Sequence, residues 1–246
     1  NEEEVSVPIA DQYGRHSTYS GNYEIFHFMN SVPLKDRTSS NVDMTGVNYS
    51  PTVSGDKLGG YYNFDGTNQE LVNNSNVNLN LSITMTAVAK NNKTFMGGSD
   101  EYIMALNDIN NNNDFIALNY KTNTDKVVSI ARVFGNNSII NSVSFDIENW
   151  HHFAGRYFNQ PKAETQLYLD GAYQGINQSA SESINGSLDL YTLGFVKGGS
   201  NPANFLDGSI VLATVSAGIR SEADIKNESD YCLNQTGYWS GSFVQN

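Results

Sequence analysis

The chain has 246 residues, 39% of them apolar and 16% charged, with a formal net charge of −12. A field of that sign disfavours nucleic acid and anionic membranes as partners. No run of about 18 apolar residues exists to cross a bilayer as a helix, and the one cysteine, Cys232, allows neither an internal disulfide nor a Cys/His zinc spacing.

With so few charges, the polar surface has to come from Asn, Ser, Thr and Gly, a composition that favours strands joined by turns over charged amphipathic helices. The chain starts at Asn1 rather than Met and reads as a mature chain or an excised module. Residues 1–21 read as an N-terminal extension, and 22–246 as one domain with no linker or repeat inside it.

Tyr23 to Phe28 is the first predicted strand, and Tyr61 to Phe64 the next, running into a turn at Asp65-Gly66. Ser82 to Lys90 alternates, with Ile83, Met85, Ala87 and Ala89 on one face and Thr84, Thr86 and Val88 on the other. Tyr102 to Leu106, Phe115 to Tyr120 and Lys126 to Phe134 follow. Trp150 to Phe158 and Thr165 to Leu169 are predicted strands, and Asp170-Gly171 then has the chemistry of a two-residue hairpin turn. Leu188 to Val196 and Ser209 to Ser216 complete the strands. Ser221 and Asp224 have the spacing of a capping box and predict a short helix near 221–228. Many short strands at this spacing predict an all-β, two-sheet antiparallel sandwich with one short C-terminal helix.

His151 and His152 are adjacent and invite a metal-binding or catalytic reading. In an extended strand, neighbouring side chains point to opposite faces, so the pair cannot chelate one ion together. Trp150, His152, Ala154, Arg156 and Phe158 share one face; His151, Phe153, Gly155 and Tyr157 share the other. Both histidines therefore read as structural, and Trp150 as a core residue.

The stretch Trp150-His151-His152-Phe153-Ala154, followed by Leu167-Tyr168-Leu169-Asp170-Gly171, resembles the laminin-G-like domains of the concanavalin A-like lectin/glucanase superfamily. Phe64-Asp65-Gly66-Thr67-Asn68, Asp36-Arg37-Thr38-Ser39, Leu79 to Lys90, Phe205 to Ile210 and Ile219 to Ile225 match further family motifs in order. Together they cover roughly residues 22 to 240. The resemblance implies a jelly roll that binds sugars, peptides or proteins at its loops or concave face, often near calcium. The chain departs from it at Gln69, where the family carries an acid, and at Ile210-Val211-Leu212-Ala213, where the family reads Ile-Asp-Glu-Val.

Glycanases of that superfamily alternate carboxylates along one strand, with acid and nucleophile about 5 Å apart. No such pattern occurs, and Asp146 and Glu148 fall in the turn entering the Trp150 strand. A non-catalytic role follows as the expectation. Calcium takes six to eight oxygens, and Asn107 to Asp114 is rich in them without EF-hand spacing. The candidate metal ligands are Asp36, Asp65, Asp100, Asp108, Asp114 and Asp207; the candidate ligand contacts are Tyr102, Asp108, Asn110, Asn112 and Tyr120. For Asp65, Asp207 and Asp170 the competing role is that of capping a tight turn.

The expected function is a recognition module of a secreted or cell-surface protein, one module of a larger chain. It would bind a glycan or a cell-surface protein through loops at one edge, assisted by calcium. A structural spacer and a polysaccharide-degrading enzyme are the alternatives.

Overall fold

The computed structural model describes residues 23–28, 42–48, 61–73, 82–92, 100–108, 114–121, 124–133, 136–158, 164–178, 188–198 and 201–234. The expected division at residue 21 lies outside them.

Two antiparallel sheets of seven strands each carry the fold. The first sheet contains β1 (Tyr23–Phe28), β3 (Tyr62–Asp65), β5 (Ile83–Asn91), β10 (His151–Phe158), β11 (Glu164–Leu169), β12 (Ala172–Gln178) and β16 (Asp207–Ala217). Its order is β1-β16-β5-β10-β11-β12, and the long β16 also pairs β3 on the side where it meets β1. The second runs β2 (Thr45–Val47), β4 (Glu70–Val72), β13 (Leu190–Leu193), β6 (Glu101–Asn107), β7 (Phe115–Lys121), β8 (Lys126–Val133) and β9 (Asn136–Asn141). β14 (Val196–Gly198) and β15 (Asn201–Ala203) form a separate hairpin. The sheets stack with β10 on β7, β11 on β8 and β12 on β9.

The alternation read from β5 is the one that builds the core. Ile83, Met85, Ala87 and Ala89 join Ile103, Met104, Leu106, Ile116 and Leu118 between the sheets. Tyr120 and Phe153 meet there edge to face, with ring centroids 5.5 Å apart, an arrangement worth about 0.5–1.5 kcal/mol beyond the burial of the two rings.

The opposite face of the first sheet is covered in part by α1 (Glu222–Asn234), which packs on β10. The capping box closes as the spacing predicted: Asp224 N donates to Ser221 Oγ at 3.0 Å, and Ser221 N to Asp224 Oδ2 at 3.2 Å. The helix runs beyond the expected 228, to Asn234. Ile225 packs on Ala154 and Tyr168, and Glu228 and Ser229 are as fully buried as Ile225.

Two further differences from the sequence reading have local causes. The stretch Leu188 to Val196 does not run as one strand, because Gly194 adopts φ +81° between β13 and β14. Strands β2, β4, β14 and β15 have three residues each, too few to display a period of two. The Asp170-Gly171 turn forms as predicted, with φ of 50° and 76° and β11 pairing β12 across it.

Candidate functional site

The candidate carboxylates divide between the two ends of β6. Asp100 precedes that strand and Asp108 follows it, so eight residues at about 3.3 Å each hold them about 26 Å apart. They therefore cannot serve one ion together. Asp36, Asn110 and Asn112 lie outside the described residues.

At the far end, Asp108 N donates to Asp114 O at 3.0 Å and closes the β6–β7 hairpin; both residues are buried. At the near end the two Asp-Gly motifs lie side by side. Asp65 pairs with Asp207 across β3 and β16, and Gly66 N donates to Leu206 O at 2.9 Å. Asp65 Oδ1 accepts from Thr67 N at 3.0 Å and Thr67 Oγ1 at 2.7 Å, the bonds of a turn-capping aspartate. Buried Glu101, absent from the candidate set, links the sheets here. Its Oε2 accepts from Asn91 Nδ2 and from Asp207 N, each at 2.9 Å. Desolvation raises the pKa of half-buried Asp100, and Lys121 acts in the opposite direction. Among the described residues no three His, Cys, Asp or Glu side chains are grouped to hold a metal ion.

The two candidate tyrosines are not available to a ligand. Tyr120 is fully buried in the core; burial, with Glu101 and Asp170, pushes its hydroxyl well above the ordinary tyrosine range. Tyr102 is buried against Phe115, centroids 6.0 Å apart. Desolvation, aided by Asp100 and opposed by Arg132, pushes its hydroxyl up to about 12. Strand alternation decides both outcomes: each ring belongs to a packed face rather than to the neighbouring turn.

The histidines are structural, each in a different way. His151 is held at both ring nitrogens, by Asp170 Oδ2 at 2.7 Å and by Asp146 O at 2.9 Å, and its ring stands on Phe145. Asp146 also accepts from Glu148 N in the turn before β10, as the sequence implied. His152 lies on the helix side, fully buried, its Nε2 donating to Glu228 Oε1.

An aromatic site lies where α1 does not cover the first sheet. Ser209 pairs with both Asn63 and Lys90, and His151 pairs with Ala89, so Trp150 stands beside Lys90. One rung thus crosses three strands as Asn63, Ser209 and Lys90 and is continued by Trp150 just before β10, with Tyr61 two residues before Asn63. Trp150, expected in the core, is half-buried, as are Tyr61 and Lys90. It escapes the core because it shares a face with His152 and lies one step beyond the ground that Glu228 occupies. Its ring meets Tyr61 edge to face, with centroids 5.5 Å apart and planes at 65°. Lys90 Nζ lies 5.3 Å from the Trp150 ring centroid and 5.9 Å from that of Tyr61. Beside the rings, Asn63 Oδ1 accepts from Asn92 Nδ2 and from Ser209 Oγ, each at 2.9 Å, with Asn63 and Asn92 exposed. Two rings, a cation and a row of amides and a hydroxyl on a rigid sheet form a surface suited to a flat, polyhydroxylated ligand.

No protein-family model matches the chain, and no curated protein matches it in sequence. Solved structures do match it in shape. Domain 4 of AbnA, a GH43 extracellular arabinanase from Geobacillus stearothermophilus determined with arabinotriose, aligns with a TM-score of 0.65 at 12% identity, covering 85% of this chain and 98% of that domain. The receptor-binding domain of botulinum neurotoxin type G aligns at 0.62 and 11% identity, covering 87% of this chain and 52% of the other. A botulinum neurotoxin type C structure, described with cell entry dependent on two ganglioside molecules, aligns at 0.62 and 14%, covering 84% and 50%. The likeness is one of fold. This chain spans about half the length of the matched neurotoxin structures and nearly the whole of the arabinanase domain.

Proposed function

We propose that the chain is a non-catalytic recognition module of the laminin-G-like kind that binds a saccharide on the Trp150–Tyr61–Lys90 platform. The observation that carries this reading is the half-buried ring pair beside the exposed amides of Asn63 and Asn92. The apolar faces of sugar rings stack on aromatic rings, and amides match sugar hydroxyls as donors and acceptors. The fold likeness to an arabinanase domain determined with arabinotriose and to a toxin described with gangliosides supports the same reading. The proposed surface is the outer face of the first sheet at the strand ends flanked by Tyr61, Asn92 and Trp150. The module would belong to a secreted or cell-surface protein of greater length.

The test is glycan-array binding with wild type and Trp150→Ala, in calcium and again in EDTA. Binding that survives EDTA and disappears in Trp150→Ala supports the platform. Loss in EDTA would direct attention to the Asp108–Asp114 hairpin. New reducing ends released from a bound polysaccharide would make the chain a hydrolase. Absence of binding in every condition would favour a protein-binding module or a spacer.

A further inference from the structure

We infer that the platform selects an anionic saccharide, whose ring stacks on Trp150 or Tyr61 and whose acid group meets Lys90. This rests on the proposal that the platform binds a saccharide, and it adds the chemical class. The argument begins with how Lys90 is held. Its ammonium lies over two aromatic rings, 5.3 and 5.9 Å from their centroids, and forms no hydrogen bond or ion pair with any described residue. Lys226 is paired with Asp230, Arg156 with Glu222 and the buried Arg220 with Glu228; Lys121, Lys126 and Lys197 are outside such pairs too, but of the described lysines Lys90 alone is held over aromatic rings.

Ring faces attract a cation with about 0.5–1 kcal/mol at exposed sites. They accept no conventional hydrogen bond from a group with three N–H donors. The rings therefore fix where Lys90 stands and leave its donors for a ligand. The carboxylates on the same face belong to Asp65 and Asp207, two positions along their strands from Asn63 and Ser209, which is about 7 Å at the usual rise. Asp65 is occupied in capping its own turn.

The net charge of −12 opposes an anion at long range, but solvent ions screen that field beyond about 8 Å at physiological salt. At contact the fixed ammonium dominates. A neutral sugar hydroxyl can accept from the ammonium, but an acid group adds its charge to the same hydrogen bond and makes it roughly twice as strong, so the placement of the cation favours a carboxylated or sulfated ring.

The experiment compares three probes by calorimetry: an oligogalacturonide, the same oligosaccharide with its carboxyls reduced to neutral galactose, and a sulfated galactan oligosaccharide of equal length. The proteins are wild type, Lys90→Gln, Lys90→Arg and Trp150→Ala, each first checked by thermal melting. The expected result is that wild type binds at least one acidic probe roughly tenfold or more tighter than the neutral one, a gap of about 1.4 kcal/mol. That gap should narrow in high salt, vanish in Lys90→Gln and persist in Lys90→Arg. Trp150→Ala should lose every arm. Which acidic probe binds tells carboxylate from sulfate. Equal affinity for neutral and acidic probes, or a preference that survives Lys90→Gln, overturns the anionic class and leaves saccharide binding in place. Binding of none of the three probes overturns this inference, while the array remains the separate test of saccharide binding.

Discussion

His152 Nε2 lies 3.1 Å from Glu228 Oε1, and both side chains are fully buried between α1 and the first sheet. Thr86 Oγ1 donates to the same oxygen at 2.7 Å, and the Arg220 guanidinium holds the other. Burial acts to raise the carboxyl pKa of Glu228; Arg220, His152 and Thr86 together outweigh it and bring it down to about 2. A carboxylate whose pKa falls on folding contributes stability that is complete above its unfolded value. That contribution is lost as pH drops through the folded one. The melting temperature should therefore fall as pH is lowered from about 4.5 towards 2, with a shallower slope in Glu228→Gln. The variant should lose about 3–5 kcal/mol at neutral pH, because it removes the buried negative charge that faces Arg220. Chemical denaturation across this pH range measures both.

Glu101 offers a test of how the sheets are joined. Its Oε2 accepts from Asn91 Nδ2 and Asp207 N. Glu101→Ala strands both donors and should cost about 2–4 kcal/mol, whereas Glu101→Gln keeps an acceptor and should cost less than half of that. Equal losses in urea melts would mean that side-chain volume, not hydrogen bonding, decides the position.

Gly194 has φ +81°, and a Cβ placed there would lie 2.5 Å from Phe64 Cε1. Gly194→Ala combines a backbone cost of about 1–2 kcal/mol with overpacking of about 1–3 kcal/mol. A melting temperature within error of wild type would contradict that assignment.

Trp150→Ala removes a half-buried ring and the cation contact with Lys90. The cost to stability should be about 1–2 kcal/mol, below the 3–5 typical of a fully buried aromatic. Saccharide binding should weaken by roughly tenfold or more. A denaturation curve and a binding isotherm on the same preparation separate the two effects.

Melting temperatures in millimolar calcium and in excess EDTA test the calcium expectation, because an ion at one hundred times its dissociation constant adds about 2.7 kcal/mol of stability. A calcium-dependent rise abolished by Asp108→Asn would locate an ion at the β6–β7 hairpin.

The sequence by itself determined the sandwich, the alternation of β5, the Asp170-Gly171 turn, the Ser221–Asp224 cap and the separation of His151 from His152. These follow from local rules: a period of two, turn residues that tolerate positive φ, and a side chain reaching a backbone amide three residues away. Tertiary structure alone decided which face was covered. Tyr120, a candidate ligand contact, lies in the core, while Trp150 looked like core and stands half-open beside Tyr61, because α1 covers only part of the first sheet. It also separated Asp100 from Asp108 by the length of a strand, and it brought Tyr61, Lys90 and Trp150 together from positions far apart in the chain. Alternation assigns a residue to a face; whether that face meets solvent, a helix or a second sheet depends on packing between distant segments.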